Sequence, residues 1–421
     1  MMLDRRQALA LGISGAAGMA LTACNNNETT VDENTDANAD ANDSANADVS
    51  VTVWGPQEDQ SDANGRWLQS QCESFAAAHP EWTISFSYGV CPEGDAKTSI
   101  GTDPGAGADV YLFANDQIPD LLKTGGIAEL GGSAVEAIKA QNTETIVNTV
   151  TYNGSVYGVP FAGNTWFMYY DSTVFTDADI KSLDAMLEKG KVAFPLDNSW
   201  YIASFYVANG CTLFGPDGND ADAGFDFSGD KAVAVTEYLV DLVHNKNFSN
   251  GDVGTNADAK AFFSGAWDYQ KAVDAYGDKL GIAAAPCIVI GGDLKQMKAF
   301  AGSKAVAVNP ATALYSTHPE VAVALAAHLG STDAQQAHYD LRGTIPTDTS
   351  VIIGVHDQVA QAQMDTVSYA SIVQPLQADM GNYWGPAEAM GKEIVAGTVT
   401  HANAAEKTEA MHTAMNSSAV S

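Results

Sequence analysis

Positive charge is what this chain most lacks. Lysine and arginine number 20 against 52 aspartates and glutamates, a formal net charge of −32. No basic stripe is available to follow a phosphate backbone, which argues against nucleic acid as a partner. The acidity itself reads as a solvated, soluble surface. Cysteine is scarce, five in 421 residues, with no CxxC pair and no histidine-rich cluster. Neither a metal centre nor another cofactor is therefore expected. The chain has no GxSxG nucleophile motif and no internal repeat. Long apolar runs are missing as well. The stretch "ALALGISGAAGMAL" is shorter than the about 20 residues a membrane span needs.

What is present begins at the N-terminus. Arg5 and Arg6 precede the apolar stretch, and small residues close it, so residues 1–23 read as an export signal. Leu21-Thr22-Ala23-Cys24 resembles the bacterial lipobox. That resemblance implies cleavage before Cys24 and lipid on its sulfur, which anchors the chain to the extracellular face of a cell membrane. Residues 24–48 continue with Asn and Asp, no aromatic and one valine. Such a segment buries too little apolar surface to offset its ordering entropy, so it is expected to be a disordered acidic tether. Four cysteines remain, Cys72, Cys91, Cys211 and Cys287. In an exported chain disulfides persist. Cys72–Cys91, closing a short loop between a helix and a strand, is the favoured bridge, and Cys211–Cys287 follows by elimination.

The body starting near Val49 is too large for one ordinary core, so two lobes are expected. "VSVTVWG" alternates as a strand, followed by a helix through Trp67, Leu68, Cys72 and Phe75 that ends at His79-Pro80. "TISFSYGV", "ADVYLFAND", "KVAFPL", "AKAFFSGAW" and "LGIAAAP" are strands. "SWYIASFYVANG", "GDKAVAVTEYLVDLVHNK" and "DYQKAVDAYGDK" are helices, and "HPEVAVALAAHLGSTDAQQAHYDLRG" is a helix pair. Alternating strands and helices mean an α/β fold.

Six segments, in order, carry a resemblance that spans the body from Val49 to about Ala414. They are "VTVWG", "GADVYLFANDQIPDLLKTGGIAEL", "YNGSVYGVPFAGNTWFMYYD", "VAFPLDNSWYIASFYVANGCTLF", "AFFSGAWDYQKAVDAYGDKLGIAAAP" and "MGNYWGPAEAMGKEIVAG". The chain resembles the extracellular solute-binding proteins of ABC sugar importers, of the maltose/maltodextrin-binding type. The resemblance implies a two-lobed periplasmic-binding-protein fold, type II-like, with a hinge and a ligand cleft between lobes. It places the N-lobe at 49–162 and 301–363 and the C-lobe at 163–300 and 364–416. It implies a non-catalytic, monomeric receptor that captures oligosaccharides, of the maltose/maltodextrin type, and hands them to ABC permease subunits. A lipid anchor suits a Gram-positive cell.

A sugar ring presents hydroxyl edges that need directional hydrogen bonds and C–H faces that stack on aromatic rings. The resemblance puts Trp54 at the cleft floor and makes Trp200, Trp267 and Trp384 stacking platforms, with Tyr383 as a neighbour. Asp116 matches a carboxylate that accepts hydroxyl hydrogen bonds, and Glu58 falls where the family has an acidic residue. Elsewhere the polar set departs from the family: Asp59 stands for a lysine, Gln117 for an arginine, and Asn164 and Asn198 for glutamates. Trp67, Trp82 and Trp166 read as packing residues. Lysine and arginine are nearly absent from the expected cleft, which disfavours anionic ligands. Two alternatives stay open: a receptor for another oligosaccharide or a polyamine, since polyamine sites also combine aromatics and carboxylates, and a glycoside hydrolase, which needs a carboxylate pair.

Overall fold

The computed structural model describes residues 47–354 and 357–417. The export signal, Cys24 and nearly all of the tether lie outside these residues. The described chain falls within one compact unit that begins at Asn46.

Eleven strands build two principal sheets. In chain order they are β1 (Ala47–Gly55), β2 (Trp82–Val90), β3 (Val110–Ala114), β4 (Val159–Asn164), β5 (Phe167–Asp171), β6 (Val192–Phe194), β7 (Phe248–Asn250), β8 (Ala261–Ser264), β9 (Leu280–Ala283), β10 (Ala299–Val308) and β11 (Ser371–Val373). The first sheet runs β11-β10-β3-β1-β2, with β4 also paired to β10. The second runs β7-β6-β8-β5-β9. Strand β1 is parallel to both β2 and β3, while β10 is antiparallel to β3 and β4. In the second sheet β6 is parallel to β7 and β8, and β5 is antiparallel to β8 and β9.

The patterns follow from position in the sheets. Strand β2 lies at an edge and alternates between more and less exposed residues. Strand β3 is central and covered on both faces, so Val110 to Phe113 are all buried. Strand β5 is also buried throughout, and its side chains alternate between two cores. Met168 and Tyr170 join one with Phe194, Phe205, Leu239 and Phe263; Phe167 and Tyr169 join another with Phe262. The first sheet has its own core, with Val51, Val53, Trp67, Phe75, Leu112 and Leu325.

Helices cover these faces, and those that position the site are α1 (Trp67–Ala78), α2 (Ile118–Thr124), α3 (Ser199–Ala208), α4 (Gly229–His244), α5 (Tyr269–Tyr276), α6 (Pro319–Leu329), α7 (Thr332–Arg342), α8 (Gln358–Tyr369) and α9 (Gly381–Val395). Local signals start and stop them. Pro119 and Pro319 occupy first turns, where a missing N–H costs nothing, and Gly125 and Gly343 end α2 and α7 in the left-handed region. The Ser331 hydroxyl caps α7. Helix α8 packs on β5 and β9, and its Val359, Ala360 and Ala362 share the core of Phe167 and Tyr169. A lobe boundary at 363 would cut this helix. The chain passes between the sheets through Thr165 and Trp166, directly from β4 to β5, and again along β10, whose Phe300 lies in the second core and Ala305 in the first.

The expected disulfides do not form: Cys72, Cys91, Cys211 and Cys287 are all free thiols. Each sulfur sits in its own packed surroundings. Cys72 is buried in α1, where its thiol meets the Tyr88 hydroxyl, and Cys91 donates towards the Pro92 carbonyl at 3.6 Å. Cys211 is buried beyond α3 in the second core, and the Cys287 thiol donates to Gln296 Oε1 at 3.5 Å. Burial pushes the Cys72 and Cys211 thiols up to about 12, so they stay protonated and behave as small apolar side chains.

Candidate functional site

In open α/β sheets the crevice beyond the carboxyl ends of parallel strands is where ligands bind. In the first sheet those ends carry Trp54 and Gly55, the last residues of β1, the turn after β2 that holds Glu93, and Asn115 and Asp116 after β3. The antiparallel strands bring further residues to the same edge: Asn164 ends β4 opposite Gly302 of β10, and Lys304 lies opposite Ala114. In the second sheet the corresponding ends lead into Trp200 after β6 and Trp267 after β8.

Trp200 and Trp267 come together. Their ring centroids are 5.8 Å apart with planes 37° from each other, so two indoles form one continuous aromatic surface. Trp200 stands in the first turn of α3, half-buried, and Asn198 caps that turn by accepting the Trp200 N–H at 2.9 Å. Trp267 is 54 % exposed, uncommon for so large an apolar side chain. Its ring lies over Gly265, where an added Cβ would fall 2.0 Å from it. The turn below it is braced: Ser264 Oγ donates to Asp268 Oδ2 at 2.6 Å, and the Lys271 ammonium reaches both Asp268 (3.0 Å) and Asp252 (2.7 Å). Trp384 stands apart from this pair among the described contacts, half-buried with its ring 5.9 Å from Phe300 of β10. Tyr383 is a correction. It is fully buried and its hydroxyl donates to the Ser199 carbonyl at 2.8 Å, so it supports α3 from within the core and presents nothing to a ligand.

On the first sheet Trp54 is half-buried, its ring over Gly89 of β2, where an added Cβ would come within 2.4 Å. Asp116 is solvent-exposed, yet crowding by the surrounding protein raises its pKa, with the Lys97 charge opposing. Accessible but poorly hydrated is the state of a carboxylate on a concave surface. Glu58 is exposed on the short helical turn after β1, and Asn164 is half-buried.

Three of the positions that depart from the family turn out to brace the edge. Asp59 is buried, and one of its oxygens accepts from both His338 Nε2 (2.9 Å) and Arg342 Nε (2.8 Å) of α7. Burial alone would raise its pKa; the two partners outweigh that and hold the carboxyl below its ordinary value. Buried Gln117 donates to the Glu93 carbonyl at 2.8 Å and accepts the Lys97 N–H at 2.7 Å. Asn198 is the helix cap already described. Asn115, unnoticed in the sequence, ties β3 to β10 by accepting the Ser303 N–H at 2.8 Å. One cation does lie at this edge: the Lys304 ammonium, 2.9 Å from Glu93 Oε1. The signal for it was a lone charged residue in the otherwise uncharged "AFAGSKAVAV".

Two cavities, of about 910 and 760 Å³, lie elsewhere. The larger is bounded by Thr151 to Gly154, Cys211 to Leu213 and Ile372 to Gln377, at the end of α3 remote from Trp200, with Tyr152 as its aromatic residue. The smaller lies along β9 and α8. Neither offers the exposed indole surface that the Trp200–Trp267 pair does. No group of acidic, histidine or cysteine side chains that could hold a metal ion occurs among the described residues.

The chain matches the family model for bacterial extracellular solute-binding proteins over residues 70–365. It is 26 % identical over 336 residues to a maltooligosaccharide ABC transporter solute-binding lipoprotein of Streptococcus pneumoniae, covering 72 % of this chain and 74 % of that one. A structure solved with acarbose is 48 % identical, with a TM-score of 0.78, and covers 88 % of this chain and 99 % of its own. A maltodextrin-binding protein of L. casei BL23, solved without ligand, is 24 % identical with a TM-score of 0.80 and covers 89 % and 100 %.

Proposed function

Because the chain belongs to the bacterial extracellular solute-binding protein family, we propose that it captures maltose/maltodextrin-type oligosaccharides and delivers them to an ABC permease. One observation carries this reading beyond the family: the paired indoles Trp200 and Trp267 at the strand ends of the second sheet, one of them largely exposed. Two adjoining flat apolar surfaces suit successive sugar rings of one chain. The relatives named as maltooligosaccharide and maltodextrin binders, and the 48 % identical structure solved with acarbose, support the ligand class.

The division of labour follows from the two edges. The indoles take the C–H faces of the sugar from one lobe, and Asp116, Asn164 and Glu58 face the hydroxyls from the other. A ligand that touches both edges favours the closed arrangement over the open one by the extra contacts made only there. The matched relatives are binding proteins, not enzymes, and the chain is an extracellular, membrane-anchored receptor in this reading, with Cys24 carrying the lipid. A tether of residues 24–48 keeps it concentrated near its permease without a fixed pose. A Gram-positive cell, which has no outer membrane to confine a free receptor, suits this anchor.

Calorimetry on the body from residue 47 onwards, with maltose, maltotriose, longer maltooligosaccharides and spermidine, tests the proposal. Saturable heat from the maltooligosaccharides is expected. Heat from spermidine alone would replace the reading with a polyamine receptor, and release of shorter sugars during incubation would replace it with a hydrolase.

A further inference from the structure

The ion pair between Lys304 and Glu93 is not explained by folding alone. Lys304 sits on β10 opposite Ala114 of β3 and Ala162 of β4, at the strand-end edge where Asp116 and Asn164 lie. Its ammonium leaves the strand to meet Glu93 in the turn after β2, at 2.9 Å. Along the neighbouring edge segments 55–60, 91–95, 114–118 and 162–166 there is no lysine or arginine. A strand whose other residues are all buried thus spends one position on a cation with 37 % of its side chain exposed.

A bracing role accounts poorly for it. The turn of Glu93 is already held by Gln117, which bonds the Glu93 carbonyl and the Lys97 N–H. The pair is one-sided, Glu93 being 11 % and Lys304 37 % exposed at the side chain, so the ammonium keeps an open face beyond the contact that neutralises the carboxylate. The chemistry of the pair suits another task. Each sugar hydroxyl both donates and accepts, and two neighbouring hydroxyls on one ring are spaced about as far apart as a hydrogen-bonded donor and acceptor. An ammonium with N–H groups beyond the one used by Glu93, beside a carboxylate whose Oε2 the ion pair does not use, offers a donor and an acceptor at that spacing. Bonds of this kind are charge-assisted, and the pair is neutral overall, so an uncharged ligand meets no net field.

We propose that Lys304 and Glu93 form a hydroxyl-reading pair on the first lobe's side of the cleft, recognising two neighbouring hydroxyls of one ring of a neutral oligosaccharide. The proposal rests on the sugar reading of the cleft. It makes Lys304 and Glu93 specificity residues, complementary to the stacking indoles across the gap.

The test pairs protein variants with ligand variants. Kd is measured calorimetrically for maltotriose and for maltotriose analogues that each lack one hydroxyl, using wild type, Lys304→Met, Glu93→Gln and Lys304→Arg. Wild type failing to bind maltotriose would refute the sugar reading itself, separately from the pair. With that binding in place, Lys304→Met is expected to weaken maltotriose about tenfold. Removal of the hydroxyl that accepts from Lys304, costly in wild type, should then cost Lys304→Met less than about twofold, and removal of the hydroxyl that donates to Glu93 should cost Glu93→Gln correspondingly less, because each partner and its hydroxyl are lost only once. Lys304→Arg, which keeps the charge, retains the sensitivity to those hydroxyls. If Lys304→Met and Glu93→Gln bind maltotriose as wild type does, or lose affinity while every hydroxyl deletion keeps its wild-type cost, the pair is a brace and the inference fails.

Discussion

Replacing Trp267 by alanine removes the most exposed aromatic surface of the site and almost nothing from the core. Its side chain is 54 % exposed and rests on the backbone of Gly265. Of about 250 Å² for a whole tryptophan, roughly 130 Å² is open; a sugar ring on one face covers roughly 80 Å², worth about 2 kcal/mol at about 25 cal/mol per Å². That corresponds to about thirtyfold in Kd. Trp267→Phe keeps part of the face and should lose about fivefold. The assay is calorimetric titration with maltotriose. Thermal unfolding of the same samples should shift by no more than about 2 °C, because an exposed side chain contributes little to stability. A Trp267→Ala variant that binds within about threefold of wild type would show that the exposed indole is surface decoration and that the ligand lies elsewhere.

The buried neighbour gives the opposite outcome: Tyr383→Phe should leave maltotriose affinity unchanged and cost about 1 kcal/mol in urea unfolding, because it removes one buried hydrogen bond to the Ser199 carbonyl. Asp59→Asn should cost about 3 kcal/mol at pH 7, by removing the buried negative charge to which His338 and Arg342 donate. The folded carboxyl titrates below its ordinary value of 3.8, so its contribution is complete above that pH and is lost as pH falls through the lower folded value. The difference between wild type and Asp59→Asn in urea unfolding should therefore narrow from pH 7 to pH 3. Thiol titration of the unfolded body from residue 47 should find four reactive groups without prior reduction, and reductant should leave its melting temperature unchanged; a bridge seen by mass spectrometry would contradict the free thiols.

The strands and helices were largely legible because the chain is locally consistent. The Val49-Val51-Val53 alternation, the Pro119 and Pro319 starts and the amphipathic α4 each point to the element that forms. Trp200 and Trp267 were legible as aromatic residues beside strand ends. The roles of neighbouring residues were not. Trp384 and Tyr383 are adjacent in sequence, yet one is half-buried beside Phe300 and the other lies wholly in the core, because successive side chains of a helix point in directions about 100° apart. Cysteine counting failed for a related reason. An even number of thiols permits bridges, but only the packing around each sulfur decides whether two of them meet.

Composition alone set the strongly acidic charge, which argues against a nucleic-acid partner, and local pattern alone established the α/β alternation, since both depend on charge totals and near neighbours in the chain. The Trp200–Trp267 surface, the burial of Asp59 under α7 and the Lys304–Glu93 pair arose only from tertiary structure. Each joins residues far apart in sequence, and strand register, which local propensity does not encode, sets which of them meet.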